Sequence, residues 1–503
     1  MGLHDPQGSA ERARAGVTIA TDAHRRLDVG PVKPITVSLV SLLLFAAALT
    51  WPALYNGFPL VFSDTGTYIA TLTERIVPID RPIYYGVFLG AIALPVGLTA
   101  VPFVQGLAVS YVSLLFFRWL APDASRAAEW IAIAAVALLT PASWIASWLM
   151  PDVFGGLVIL APLLLLFAHE RLRPLHKILL CGTLLLALIS SSGNVLLFVV
   201  FGACATVVHA MVYEAVSRRA AALLAVLGLA TIFLSMLPNA IAYGRWTISP
   251  GSQAFIAARL VDDGFMQRYL ERHCPAEPTG LLCDRRAELA GITHNDFLWG
   301  EPISLGNATG MWSERAGDYR DLNFRVIADQ FGDIALQSAS NIARLLVRTE
   351  LGNDPIDHNF RAFGSATYVS RQIGLHFPAE QPRYAASRQQ TGTLQLQPVN
   401  WLHRAWTWAS YVLLAVAALV ASRRKDRLLV VTVWLVFLGL VLNAAVHGAL
   451  SGVYTRYQVK VTWIPTLVAI ALLAALLHKW RTHSKGLEPL SGNQARAGNG
   501  TRP

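Results

Sequence analysis

The chain has 503 residues, 54% of them hydrophobic and 14% charged, with a formal net charge of +10. Ordinary soluble domains carry about a quarter of their residues as charged side chains, so this composition excludes that class. The basic excess sits in short clusters beside apolar runs, which points to membrane orientation and away from nucleic-acid binding.

Residues 1–34 are polar and mixed in charge, without an apolar centre or small-residue cleavage site, and read as a cytoplasmic tail. A crossing helix needs about 20 apolar residues. Candidate spans are 35–54, 100–118, 129–148, 153–168, 178–190, 194–213, 221–243, 404–421, 428–446 and 461–478. The run 83–98, "IYYGVFLGAIALPVGL", is short and contains Pro95. Six basic clusters decide its fate: the N-terminal tail, Arg118/Arg126, "HERLRPLHK", "VSRRA", "SRRKDR" and the tail 479–503. All six share one side only if 83–98 does not cross, so it reads as a flat or re-entrant helix. The expected fold is therefore all-α and polytopic, with about ten transmembrane helices and both termini inside. Trp51, Trp144, Trp148, Trp246, Trp401, Trp406, Trp408 and Trp463 fall near the outer ends and read as an interfacial belt.

Outside lie short connections around Asp152, "ISSSGN" and "VHGALSGVYTRYQVK", and two long ones, 55–99 and 244–403. The chain thus divides into spans one to seven over 35–243, with a first external loop at 55–99. A mainly helical extracytoplasmic domain at 244–403 and spans eight to ten over 404–478 follow. "SQAFIAARLVDDGFMQRYLERH", "LNFRVIADQF" and "IALQSASNIARLLVRTE" carry helical apolar spacing. Cys274 and Cys283, in "HCPAEPTGLLCD", pair naturally in an oxidising compartment. A metal pair is the alternative, with His273 the only nearby imidazole. Cys181 and Cys204 read as packing residues within spans.

Asp64 sits between a serine and a threonine at the mouth of the first span, in "SDTGTY". Either it caps a short surface helix, or it is a carboxylate held at the membrane surface to orient a substrate or take a proton. Asp152, in "WLMPDVFGG", carries the same two readings, because an acid beside apolar spans is costly without a partner or cavity. Arg456 and Lys460, in "YTRYQVK", share one helical face and break the basic-inside trend. They read as phosphate ligands or as interfacial snorkels. His447 reads as a packed histidine or a supporting group, and "ISSSGN" as a turn opening onto the same face. No nucleophile elbow, P-loop, dinucleotide fingerprint or metalloprotease motif is present.

In layout the chain resembles the GT-C superfamily of membrane glycosyltransferases, which includes protein O-mannosyltransferases and lipid A aminoarabinose transferases. The likeness rests on "SDTGTY" after the first span and "RPIYYGVFLG" in the first external loop. It also rests on "MPDVF" between the third and fourth spans, the large insertion after the seventh, and Arg456–Tyr457 before the last. The likeness implies transfer of a sugar from a polyprenyl-phosphate donor to an extracytoplasmic glycan, lipid or protein by direct displacement. It implies an integral protein of the bacterial inner membrane, part of cell-envelope chemistry, with its site outside. Asp64 would match the catalytic acid, Asp152 the second external acid, and Arg456, Lys460 and Tyr457 the donor-phosphate pocket. Tyr68, Arg81 and His447 would support them. Many relatives pair two acids in the first loop; here Ser63 precedes Asp64, which favours a site without a divalent metal. Rival readings are a transporter or flippase for lipid-linked glycans, and an assembly protein docking through 244–403.

Overall fold

The computed structural model describes residues 34–213, 217–276, 280–313, 315–352 and 361–485. The predicted tails at 1–34 and 479–503 lie largely outside those residues. Among the described residues there is no strand, only one isolated bridge between Leu60 and Trp148. Seven described helices are long and apolar enough to cross a membrane: Leu39–Asn56, Leu98–Leu120, Ser192–Tyr213, Arg218–Tyr243, Gln397–Arg423, Arg427–Leu450 and Thr455–Trp480. Their 18-residue windows reach mean hydropathies of 1.6 to 2.5. Large apolar side chains stand exposed along them, including Leu43, Leu44, Leu229, Phe233, Val412 and Val416. So broad an apolar exterior fits hydrocarbon rather than water.

Shorter apolar helices occupy Tyr84–Val96, Pro151–Phe167 and Pro174–Ile189. The expected continuous helix over 129–148 is broken. Arg126–Leu139 stops at Thr140, whose extended backbone (φ −126°, ψ 163°) is what a residue before proline prefers. Pro141 then opens a five-residue turn of helix, Ala142–Ala146.

The connections fall into two groups at opposite ends of the bundle. At one end Ile35 donates its backbone N–H to Arg171 O at 3.0 Å. There His478 approaches Asp123 at 4.0 Å and Lys479 pairs with Asp426. Just inside this end, Arg118 pairs with the buried Glu129, which also accepts from Ser41 Oγ. The described basic clusters therefore gather together. Asp64, Asp152, Ser190–Ser192 and Lys460 lie at the other end, around one cavity. Tyr85 donates to Gln105 near the cavity, and after Gly97 (φ 111°) the Leu98 N–H is held by Glu380 Oε1 at 2.9 Å.

The stretch 244–403 has two parts. Residues 254–326 build a core of their own around Met266, Phe297, Tyr319 and Val326, with Cys274 and Cys283 joined in a disulfide. Cys181 and Cys204 are free thiols within apolar helices. The amphipathic segments form Ser252–Asp262, Phe265–His273, Ala316–Asp329 and Phe331–Leu346. The last of these lies on Arg427–Leu450, with Gly448 against the backbone of Asn341 and Ile342. Residues 361–396 instead join the main core through Phe363, Val369, Ile373 and Tyr384. They are stitched to the first loop by Gln389, which accepts from Val61 N at 3.0 Å and donates to Val61 O at 2.8 Å.

The tryptophans divide. Trp246, Trp401 and Trp408 are exposed, as an interfacial belt requires. Trp144, Trp148 and Trp463 are at most 2% exposed and pack beneath the cavity instead. An indole buries a large apolar area, and the broken helix after Leu139 turns Trp144 and Trp148 inward.

Candidate active site

Asp64 stands at the first position before the helix Thr65–Thr73, yet its side chain caps nothing. Thr65 Oγ1 takes the local amide instead, accepting from Phe62 N at 3.0 Å. The Asp64 carboxylate is free to turn toward Arg81 Nη1 at 2.8 Å and Arg456 Nη1 at 3.7 Å. Burial opposes its ionisation, but the two guanidinium groups outweigh that cost and hold the carboxyl below its ordinary value. Arg81 is itself fixed by its neighbour Asp80, which accepts from Nη2 at 2.5 Å and Nε at 3.0 Å.

Asp152 lies in the turn Pro151–Phe154, and it too caps no helix. Its carboxylate faces the cavity and interacts electrostatically with Tyr68, Arg456 and Lys460. It makes no ion pair within 4 Å among the described residues, unlike Asp64.

The short helix Thr455–Val459 brings Arg456 and Lys460 onto one side, as their spacing predicts. Arg456 lies 4.7 Å from the Phe62 ring and 4.9 Å from that of Tyr457, and its Nη2 donates to Tyr457 OH at 3.1 Å. Lys460 Nζ sits 3.0 Å from His447 Nε2, and the imidazole stacks on Tyr457 at 4.4 Å with a 5° tilt. Neither cation snorkels; both are turned into the wall. Two glycines make room. A Cβ on Gly155 would lie 2.9 Å from Lys460 Cδ, and one on Gly193 would lie 2.9 Å from His447 Cε1. The "ISSSGN" turn is thus a wall of the site as well as a turn.

Beneath these groups Arg81 stacks over Tyr68 at 5.5 Å, and Tyr68 meets Tyr85 edge-on at 4.7 Å. Burial pushes the Tyr68 phenol up, so it stays a neutral donor. Tyr85 OH donates to Gln105 Oε1 at 2.5 Å, and Gln105 Nε2 donates to Ala146 O and Trp148 O at 2.9 Å each. A membrane helix thereby ties the first loop to the broken third segment.

All the residues singled out in sequence outside the cysteines, namely Asp64, Tyr68, Arg81, Asp152, His447, Arg456, Tyr457 and Lys460, line one cavity of about 800 Å³. That volume suits a small-molecule or headgroup ligand. Asp80 and Gln105 were missed. Asp80 adjoins Arg81 in the same loop, and a glutamine amid an apolar span signals a buried polar task. The roof, with Phe255, Asn295, Asp296, Trp299 and Glu301, had no local signal, and neither did Arg361 elsewhere in the lining. Among the described residues no group of three or more His, Cys, Asp or Glu is placed to hold a metal ion. The cavity can clasp an anion between Arg456 and Lys460 and present two carboxylates to a nucleophile. No family model, curated protein or solved structure matches this chain.

Proposed function

We propose that the protein is a membrane glycosyltransferase of GT-C type, with ten membrane passes and a site on the extracytoplasmic face. It moves a sugar from a polyprenyl-phosphate donor to an acceptor hydroxyl. The observation that carries this reading is the meeting of Asp64, Asp152, Arg456 and Lys460 in one cavity. Those residues come from three distant connections, and the cavity lies opposite the basic clusters. Basic clusters mark the cytoplasmic end of membrane bundles, which supports an outer site. The passes over 129–148, 153–168 and 178–190 are the short ones, and each joins one end of the bundle to the other.

The donor phosphate seats against Arg456 and Lys460, a planar fork and a point charge. Its negative charge competes with Asp64 for Arg456, whose 3.7 Å contact is the looser of the carboxylate's two. The acceptor oxygen attacks the anomeric carbon, forming the new C–O bond as the bond to phosphate oxygen breaks. The phosphate leaves with the electron pair, and the hydroxyl proton passes to a carboxylate. Asp64, held below its ordinary value by two cations, is a weak base and a strong orienting group. Asp152, without such a clamp, takes the proton. Preorganised contacts to a leaving phosphate are each worth about 10²–10³-fold in rate.

The test is a reconstituted assay in nanodiscs supplied with undecaprenyl-phosphate-linked glucose, mannose and arabinose. Release of polyprenyl phosphate with transfer of the sugar is expected for at least one donor. Translocation of a fluorescent lipid-linked sugar in proteoliposomes, without cleavage of any donor, would replace this reading with that of a transporter.

A further inference from the structure

The sequence leaves the acceptor open between glycan, lipid and protein, and the cavity roof discriminates among them. Two pieces of the 254–326 unit and its approach face the catalytic floor. One is the start of the helix Ser252–Asp262, with Ser249, Ser252 and Phe255. The other is the end of His294–Trp299 and the turn after it, with Asn295, Trp299 and Glu301.

Trp299 is the centre of this wall. One face of its indole stacks on Trp312 at 5.5 Å with a 22° tilt, and Trp312 is braced edge-on by Phe255 at 5.8 Å. Even so Trp299 stays 44% exposed, so the ring is held rigid on one side and open on the other. A large indole pinned in place but left uncovered costs apolar exposure that a ligand would relieve. Asn295 and Glu301, beside it, are exposed hydrogen-bonding side chains, and Asp296 adds a further acid, though Thr293 already occupies its carboxylate. From 249 to 301 the lining holds two carboxylates and no Lys or Arg.

Resting on the glycosyltransferase reading, we infer that this roof is the acceptor subsite and that the acceptor is a carbohydrate without acidic groups. A sugar ring has an apolar face of C–H groups to lie on Trp299 and equatorial hydroxyls for Glu301 and Asn295. A lipid acceptor would need a longer apolar wall, and an acidic glycan would meet two like charges. The cations of the site all lie on the floor or at Arg361, where the donor phosphate belongs. The floor sets its carboxylates among Arg81, Arg456 and Lys460, whereas the roof stretch has no cation, and this difference separates the two substrates.

Binding is read first, without donor, by saturation-transfer NMR on the full protein in nanodiscs. The probes are cellotriose, maltotriose, mannotriose, trigalacturonic acid and a Ser/Thr-rich hexapeptide. At least one neutral trisaccharide should bind, with trigalacturonic acid and the peptide giving no signal. Trp299→Ala should weaken that binding about tenfold or more, as loss of a central aromatic anchor does. Trp299→Phe should restore part of it, and an unchanged melting temperature shows that the roof has folded. Failure of all three neutral sugars, equal binding by Trp299→Ala, or binding of trigalacturonic acid or the peptide overturns the inference. The transfer assay then separates the two readings. Trp299-dependent sugar binding with no donor cleavage defeats the transferase and leaves a carbohydrate site. Donor cleavage without Trp299-dependent binding defeats this inference alone.

Discussion

Two carboxylates, one at each end of the bundle, meet arginine in opposite ways. Glu129 is 3% exposed at its side chain and fully engaged, with Arg118 on one oxygen and Ser41 on the other. Asp64 is 21% exposed, has one close guanidinium and one loose one, and borders open space. A closed pair has nothing left to offer a ligand, and breaking it leaves a buried charge. An open pair keeps a cation in reserve for an incoming anion. The same residue chemistry is therefore structural at the basic end and available for function at the other.

That contrast breaks most sharply by deletion. Glu129→Ala should destabilise the protein by about 1–3 kcal/mol, because the partly buried Arg118 is left with only Ala124 O as a hydrogen-bond partner. Thermal unfolding in detergent reads this, and the folded fraction should transfer sugar normally. Equal stability would place Glu129 in water and dissolve the comparison.

Asp64→Asn should do the reverse. It keeps the shape, folds and still binds donor, losing only the stability its charge contributes, while transfer falls about 10²-fold or more. Near-normal transfer by this variant would leave Asp64 with no catalytic part, and its missing cap bond already removes the alternative role.

A milder probe keeps the charge and removes the fork. Arg456→Lys loses one charged hydrogen bond to phosphate, so the donor KM should rise about tenfold. A rise no greater than that of a surface Arg→Lys control would detach Arg456 from the donor.

The smallest effect is on the pH dependence of stability. The Asp64 carboxyl is lowered in the folded protein, so its contribution is complete above the unfolded carboxyl value of about 4. It is lost as pH falls through the folded value. The stability gap between wild type and Asp64→Asn should therefore hold constant from about pH 7 to 5 and shrink below about pH 4. A gap that already closes between pH 7 and 5 would mean that Asp64 is not held ionised by Arg81 and Arg456.

Much of the site was legible because its residues violate local expectation. Asp64, Asp152, Arg456 and Lys460 are charges at apolar borders, where solvation cost makes each one conspicuous. Gln105 carried the same signal within a span and was overlooked. Trp144, Trp148 and Trp463 were misplaced because an indole near a helix end reads alike whether it faces lipid or core. Only the break at Thr140–Pro141 turns the first two inward. Trp299 and Glu301 gave no sign, since their chemistry depends on what stands opposite them.

The sequence by itself determined the helical class, the apolar runs and the closeness of Cys274 to Cys283. Those properties depend on residues close along the chain: hydrophobic length and a nine-residue separation. Only the tertiary structure decided that Asp64, Asp152 and Lys460 share a cavity, and that Asp64 holds two arginines rather than a helix end. It alone folded 361–396 back onto the first loop while 254–326 formed a separate roof. These outcomes come from contacts between segments tens to hundreds of residues apart. Packing of whole helices, not any local preference, sets which side chains finally meet.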